Sequence, residues 1–508
     1  MKATHNFRNS AIVITLTIAL LLWSSAAIGA VRARAAQAAL TPRVFLPLAL
    51  SPGLLVSAVL TPFDANAEDL NGPASWSANY GKTPEIIVAS SGAELDVLAQ
   101  DYNAATPWNA VLLHIAPSAP SGYAITQALT GLPMLDRVMG LAIDASGNRY
   151  YATAVDESDR VDASYPPLNT TRSNIVRVVK LNQAGAVRWN IDLDPARRAF
   201  DNNAEMIINP MTFASARLAV GGNELALVHG INTDPDWTIG GARHQKALST
   251  RLNATTGAIQ RTSSIWVSHS FDQRLLYDGQ GITEQHLGDA FPRQVVFGRD
   301  HTAYALFHIK GALGETLTAT RLGNVALIED DPTYRYLALF ATESSAATGD
   351  IFNSMINGPR NLAIVRVNRN DNSIDASLPD TLTVTSEGTQ YTNRLRWLTH
   401  YSANANLHAE RPKLVALANN QYAVLWEEWR NLGGSSDAYI GIRGMIIDSS
   451  GNTIQAAKLL TAAHHLPRGD DAFLLNGHAG WLTGSAPGQK LYIHLVDAAL
   501  NYAMFTLN

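Results

Sequence analysis

One unit recurs along this chain and constrains its fold more than any other feature: an apolar strand, a tight polar tip, then a second apolar strand. Copies occupy 86–99, 138–154, 217–230, 294–308, 414–426 and 472–484, and a further one begins at Val325, in the long interval between 310 and 414. Each mixes Val, Ile, Leu and Tyr with polar residues and is punctuated by Gly, Asn or Asp, the pattern of a half-buried strand and its turn. The tips carry Gly92, Gly147, Gly222, Asn420 and Gly477, residue types that tolerate the positive φ of a tight hairpin. A second hairpin follows most copies, at 178–189, 249–260, 364–375, 445–455 and 494–505. Two consecutive hairpins make one four-stranded antiparallel sheet. Sheets of this size repeated along a chain bury both faces by stacking radially, so the expected fold is all-β, a single β-propeller of six or seven blades over 84–508. A pair of β-sandwiches is the competing architecture. In the propeller, the last blade is expected to come wholly from C-terminal chain, with 501–507 at its outer edge.

The N-terminal residues read as an address. Lys2 and Arg8 precede an uncharged, apolar stretch from Ala11 to Trp23, and small residues follow up to Ala35 and Ala38. That is a signal peptide over 1–38, since its apolar run is short of the about 20 residues a membrane span needs. Its removal takes away Lys2, Arg8, Arg32 and Arg34 and no acid, so the net charge moves from −5 to −9. Residues 39–83 read as a linker. Within it, 41–50 resembles an Arg-Val-Tyr-Leu-Pro-Leu tag that follows the signal in a set of bacterial exported proteins.

Composition removes several function classes. An acidic chain with 16% charged residues is unsuited to the phosphate backbone of a nucleic acid. The absence of Cys excludes disulfides, thiolate zinc sites and thiol catalysis. Neither Gly-x-Ser-x-Gly nor a phosphate-binding Gly-Lys-Ser/Thr loop is present.

Residues 143–159 and 178–189, with Asp144, Gly147, Asn148 and Tyr150, then Lys180, Leu181, Asn182, Gly185 and Trp189, resemble one blade of a secreted bacterial β-propeller repeat family. Its blades read Val-Asp-x-x-Gly-Asn-x-Tyr-Val-x-Gly, then Val-x-Lys-Leu-Asn-x-x-Gly-x-x-x-Trp. A fragment recurs at Asp448–Asn452. The resemblance implies a propeller and export, and no defined reaction. The Ser-x-Asp-x-Gly-x-x-Trp box of sialidases is absent.

Chemistry concentrates in one segment. His269, Asp272, Arg274, Asp278, Glu284, His286, Asp289 and Arg293 fall within 25 residues just before the hairpin at 294–308. Taken as the connection into an innermost strand, this segment is expected to face the central channel or its mouth, where many blades converge on one point. Asp136, Arg137, Lys82 and Arg217, the trio His408, Glu410 and Arg411, and the run Arg468, Asp470 and Asp471 occupy comparable places. Arginines alternating with carboxylates suit a carboxylate, sulfate or sugar, because a guanidinium fork pairs two oxygens at once. Salt bridges between neighbouring blades are the competing account. No His-Glu-x-x-His is present, so neither metal nor cofactor is expected; His269, His286 and His408 with Asp289 form a zinc set only if the blades bring them together.

These readings point to an exported protein, secreted or at the cell surface, that binds or scaffolds an extracellular carbohydrate or protein. Neither nucleic acid nor, after signal cleavage, membrane is an expected partner. Arg274 and Arg293 are the expected anchors, oriented by His286 and Asp289. The alternative is a secreted hydrolase or lyase acting on a carbohydrate or another polyanion through the same Asp/His/Arg cluster. Two acids about 5–10 Å apart in a cleft favour glycoside chemistry. Mutual salt bridges across the channel favour the scaffold.

Overall fold

The computed structural model describes residues 86–507 apart from 102–108, 120–121, 136, 155–175, 194–198, 202–203, 207, 211–215, 234–244, 269–271, 289–291, 300–301, 312–319, 345–357, 403–404, 431–437, 468–469 and 485–490. The signal peptide and linker readings therefore lie outside the described residues, as do His269 and Asp289.

Among the described residues, seven antiparallel sheets of four or five strands follow one another in chain order, at 86–133, 137–192, 208–268, 273–308, 321–397, 407–461 and 473–507, with a two-stranded ribbon, Ala199–Asp201 and Ala204–Met206, between the second and third. We number them blades 1 to 7. Six of them contain four strands in up-and-down order, to which blade 3 adds Ile208–Pro210; blade 5 has three such strands followed by a crossed outer hairpin, in which Thr389–Trp397 is the fourth strand and Asp380–Ser386 the outermost. The innermost strands are Ile86–Ser90, Arg137–Ile143, Ala216–Gly221, Gln273–Tyr277, Arg321–Leu327, Leu407–Ala416 and Phe473–Leu475. Each packs against the next, and the last returns to the first, so the array is circular. Blades 7 and 1 close it without exchanging strands, through a parallel bridge between Gly92 and Leu475 and a 2.7 Å hydrogen bond from Asn476 N to Gly92 O. Tyr502–Leu507 is the outer edge of blade 7, as its hairpin pattern requires.

All five tip residues adopt positive φ, from 49° to 96° for the wider set that includes Asn476, which is why Gly and Asn stand there. The inner strands approach closely: a Cβ on Gly221 of blade 3 would sit 2.0 Å from the ring of Tyr277 in blade 4. Trp426 and Trp481 are fully buried, so these indoles pack the blades.

One assignment needs correction. The hairpin at 294–308 is the outer pair of blade 4, and the segment before it is no connection: Gln273–Tyr277 and Ile282–Gly288 are the blade's inner pair. Their polar residues disguised them. The reason is packing. Among the described residues, apolar clusters fill the joints between blades 1 and 2, 2 and 3, 4 and 5, 5 and 6, 6 and 7, and 7 and 1. Between blades 3 and 4 stands a buried polar network instead. Glu284 accepts from Ser249 Oγ at 2.6 Å, from Arg251 Nη2 and from His286 Nε2 at 3.1 Å, while Arg251 Nη1 also reaches Glu224 at 3.2 Å. A strand facing such a joint loses the apolar alternation by which strands are read.

Candidate functional site

The leading ends of the inner strands converge on the axis, and there the ring of arginines and carboxylates forms. Asp470 and Asp471, just ahead of blade 7, are its centre. Arg217 of blade 3 grips Asp471 with both arms of its fork, at 3.0 and 2.9 Å. Arg274 of blade 4 places Nε 3.2 Å from Asp471, pairs with Asp272, and donates to the carbonyls of Gln273 at 2.7 Å and Leu322 at 3.1 Å, the latter in blade 5. Lys413 of blade 6 donates to the Asp470 carbonyl at 2.5 Å. The Asp470 carboxylate accepts from the N–H of Val88, in blade 1, and from that of Asp471, both at 2.9 Å. Blades 1, 3, 4, 5, 6 and 7 thus meet through one network.

Lys413 reaches the axis because of a bulge. Glu410 pairs with Glu427 and Lys413 with Leu425, so Arg411 and Pro412 oppose a single residue of the neighbouring strand, with Arg411 at φ 48°. The electrostatics follow from crowding. Burial and the adjacent Arg274 push the Lys413 ammonium down to about 7. Burial and the neighbouring Asp471 charge raise Asp470 to about 6, against Arg217. Asp471 is itself desolvated, which would raise it, but Arg217 and Arg274 hold it far below the ordinary carboxylate range. Asp471 keeps 27% of its side chain exposed, while Arg217 and Arg274 keep 9% and 4%. Asp471 is more open to solvent than either arginine, and Asp470 beside it is likewise only half-buried.

The other candidate residues are dispersed. Asp278 lies at the opposite, hairpin-tip end, where it gathers Arg299, Arg335, the Tyr336 hydroxyl and the N–H groups of Gln280 and Gly281. His286 is inside the joint between blades 3 and 4. Arg293 donates to the Lys310 carbonyl at 3.1 Å, and its own N–H donates to Glu387 at 2.6 Å, binding blade 4 to the outer hairpin of blade 5. His408 accepts from the Arg360 N–H at 3.3 Å, and burial with the Arg360 charge lowers it to about 4. Glu410 pairs with Arg360 and Arg321, and Arg411 with Glu427 at 3.1 Å. His286 and His408 stand in different blade joints, and among the described residues no group of three or more His, Asp or Glu is arranged to hold a metal. Of the candidate set, Asp272 and Arg274 reach the axis. Arg217, Asp470 and Asp471 join them from positions ahead of or at the start of inner strands. Lys413 carried no sequence signal, because only the bulge turns it inward.

No known family profile matches this chain, and no curated protein does. Solved structures do resemble it. A Hadza microbial sialidase, Hz136, is 12% identical with a TM-score of 0.34, covering 68% of this chain; the chain spans 63% of that sialidase. The Trypanosoma rangeli sialidase is 10% identical with a TM-score of 0.36, covering 71% of this chain and 54% of its own. The β-propeller domain of Myceliophteria thermophila Cps50 (Swd1) is 9% identical with a TM-score of 0.37, covering 82% and 96%. The seven blades stand on this chain's own strand pairing.

Proposed function

We propose that this propeller is an exported, extracellular or cell-surface binding scaffold, with the leading end of its axis as the binding face. The observation that carries the reading is the self-neutralised axial cluster. Arg217, Arg274 and Lys413 are set against Asp272, Asp470 and Asp471, and each arginine is already committed to a carboxylate or a carbonyl. A site built to seize an anion keeps a guanidinium open for it. A cluster with its forks filled holds blades in register and offers the half-buried Asp470–Asp471 edge to a partner. The acidic charge of the chain, −5, supports a partner other than nucleic acid. Export makes a direct expectation: the secreted product starts after a cleavage between about residues 27 and 38. Mass spectrometry that finds the mature protein beginning at Met1 refutes it.

A second reading keeps one specific support. Asp470 is pushed up while its neighbour Asp471 is held down, and acids driven apart in this way are the usual basis for a proton donor beside a carboxylate base. On that reading the protein is a secreted hydrolase or lyase for a carbohydrate or another polyanion. The two readings separate in one assay. Purified protein is screened on immobilised polysaccharides for retention and on chromogenic glycosides for turnover. The scaffold reading expects retention without turnover. Turnover that disappears in Asp470→Asn, with the melting temperature unchanged, overturns it in favour of the enzyme.

A further inference from the structure

Among the described residues, six of the seven joints between blades are filled by apolar clusters, and the joint between blades 3 and 4 is not. Strand pairing shows which faces meet there. On blade 3, Ala226 pairs with Arg251 and Val228 with Ser249, so these four side chains share one face. Arg251 reaches from that face to Glu284, which alternates with Ile282 and His286 along Ile282–Gly288 of blade 4. Ala226, Val228 and Ile282 are fully buried, yet none of them belongs to an apolar cluster. The links across the joint are polar. Ser249 donates to Glu284 at 2.6 Å, Arg251 donates to Glu284 and to the Ile282 carbonyl at 3.1 Å, and the Ile282 N–H donates to Glu224 at 3.2 Å. Arg251 and Glu284 keep only 3% and 4% of their side chains exposed.

Such a joint resists separation less than an apolar one. Parting an apolar joint sets hydrocarbon against water and returns nothing. Parting a polar joint restores hydration to each charge, and water takes over the broken contacts. Two atoms gain outright. Arg251 Nε and His286 Nδ1 are buried with no hydrogen-bond partner among the described residues. Water supplies one, and the imidazole nitrogen uses it in either tautomer. The joint between blades 7 and 1 is the opposite case. By connectivity it is the weak point, since no strand is exchanged across it and the chain does not run through it. Yet Leu95, Val111, Ile493 and Leu507 fill it with apolar contact. Connectivity and packing thus point to different joints, and packing sets the cost of letting water in.

We propose that blades 3 and 4 form the seam of this propeller, the joint that opens transiently to water while the closing joint between blades 7 and 1 stays shut. The inner ends of the seam are pinned. Arg217 and Arg274 hold the same Asp471, and the Tyr277 ring occupies the place a side chain would take at Gly221. Opening is therefore confined to the strands further out, Gln245–Asn253 and Ile259–Ser268 of blade 3 against Ile282–Gly288 and Gln294–Arg299 of blade 4. Local opening of this kind costs less than global unfolding. It is a property of the ring and holds whatever the axis binds.

The absence of Cys from the chain gives a clean test, because a single introduced thiol is the only one a reagent can find. Ala226→Cys places it in the seam, Ala152→Cys and Ala338→Cys in the two flanking joints, and Ala99→Cys in the closing joint. Each folded full-length variant is treated with iodoacetamide and followed by mass spectrometry. Each rate is divided by that of the same variant unfolded in urea, which removes differences in intrinsic thiol reactivity. The probe at 226 is expected to react about tenfold or more faster than the other three, with a rate that barely rises in low urea. The other three are expected to follow the steep urea dependence of global unfolding. If Ala226→Cys lowers the urea midpoint more than the controls do, Val228→Cys, on the same face, replaces it. Equal rates at all four positions mean that the ring opens only as a whole, and a fastest rate at position 99 moves the opening to the closing joint. Either result overturns the proposal.

Discussion

Replacing Asp471 with Ala is expected to lower the unfolding free energy by about 3 kcal/mol or more, the cost of leaving buried charges without their partner. Arg217 loses its two-armed grip on Asp471, and Arg274 loses the Asp471 carboxylate beside its Nε. Both guanidiniums are nine-tenths buried or more, so water cannot replace the lost acceptor cheaply. A companion variant isolates the cause. Arg217→Met with Asp471→Leu removes charge and partner together, and is expected to recover most of the loss, because apolar replacement of a buried pair is often neutral. Urea unfolding of the parent, the single variant and the double variant measures both effects. A single variant within about 1 kcal/mol of the parent means the ring is not what holds the blades at the axis, and the cluster must then exist for a ligand.

The features that were legible in the sequence are those set by local chemistry. Gly92, Gly147, Gly222, Asn420 and Gly477 announced the tips because few residue types adopt positive φ without cost. The radial stacking followed from counting hairpins, and the blade that closes the array, 473–507, could be assigned from its own pattern. Two blades were obscure for physical reasons. In blade 4 the inner strands face a polar joint, so Glu284 and His286 stand where apolar residues were expected. In blade 5 the outer hairpin is crossed, with Asp380–Ser386 outside Thr389–Trp397, so sequence order no longer gives spatial order.

The axial cluster was half legible. Arg217, Arg274, Asp470 and Asp471 stand at or just ahead of an inner strand's start, and position alone aims them at the axis. Density along the chain did not translate into density in space. Within 269–293, Asp272 and Arg274 reach the axis, Asp278 the far end, His286 a blade joint and Arg293 the next blade. A chain that reverses every five to ten residues separates its neighbours by design. The same reversal brings Asp96, His114 and Arg149, which lie far apart in sequence and carry no shared motif, within contact of one another between blades 1 and 2.

Asp278 shows how strongly a single tip can be anchored. Its side chain is wholly buried, one oxygen taking the N–H groups of Gln280 and Gly281 at 2.9 and 3.0 Å, the other taking Arg299, Arg335 and the Tyr336 hydroxyl. Asp278→Ala strands all of these donors and is expected to cost about 3 kcal/mol or more. Acid should erase the same contribution. Burial works to raise Asp278, yet the Tyr336 hydroxyl and the two turn N–H groups hold it down to about 2, below its ordinary 3.8. A carboxylate lowered by folding stabilises the folded state above its unfolded value and loses that stabilisation as pH falls through the folded one. The stability gap between the parent and Asp278→Asn is therefore expected to be constant above about pH 4 and to shrink towards pH 2. Urea titrations across that window measure it. A gap that stays level down to pH 2 means the ionised carboxylate contributes nothing, and the tip is held by the shape of its turn.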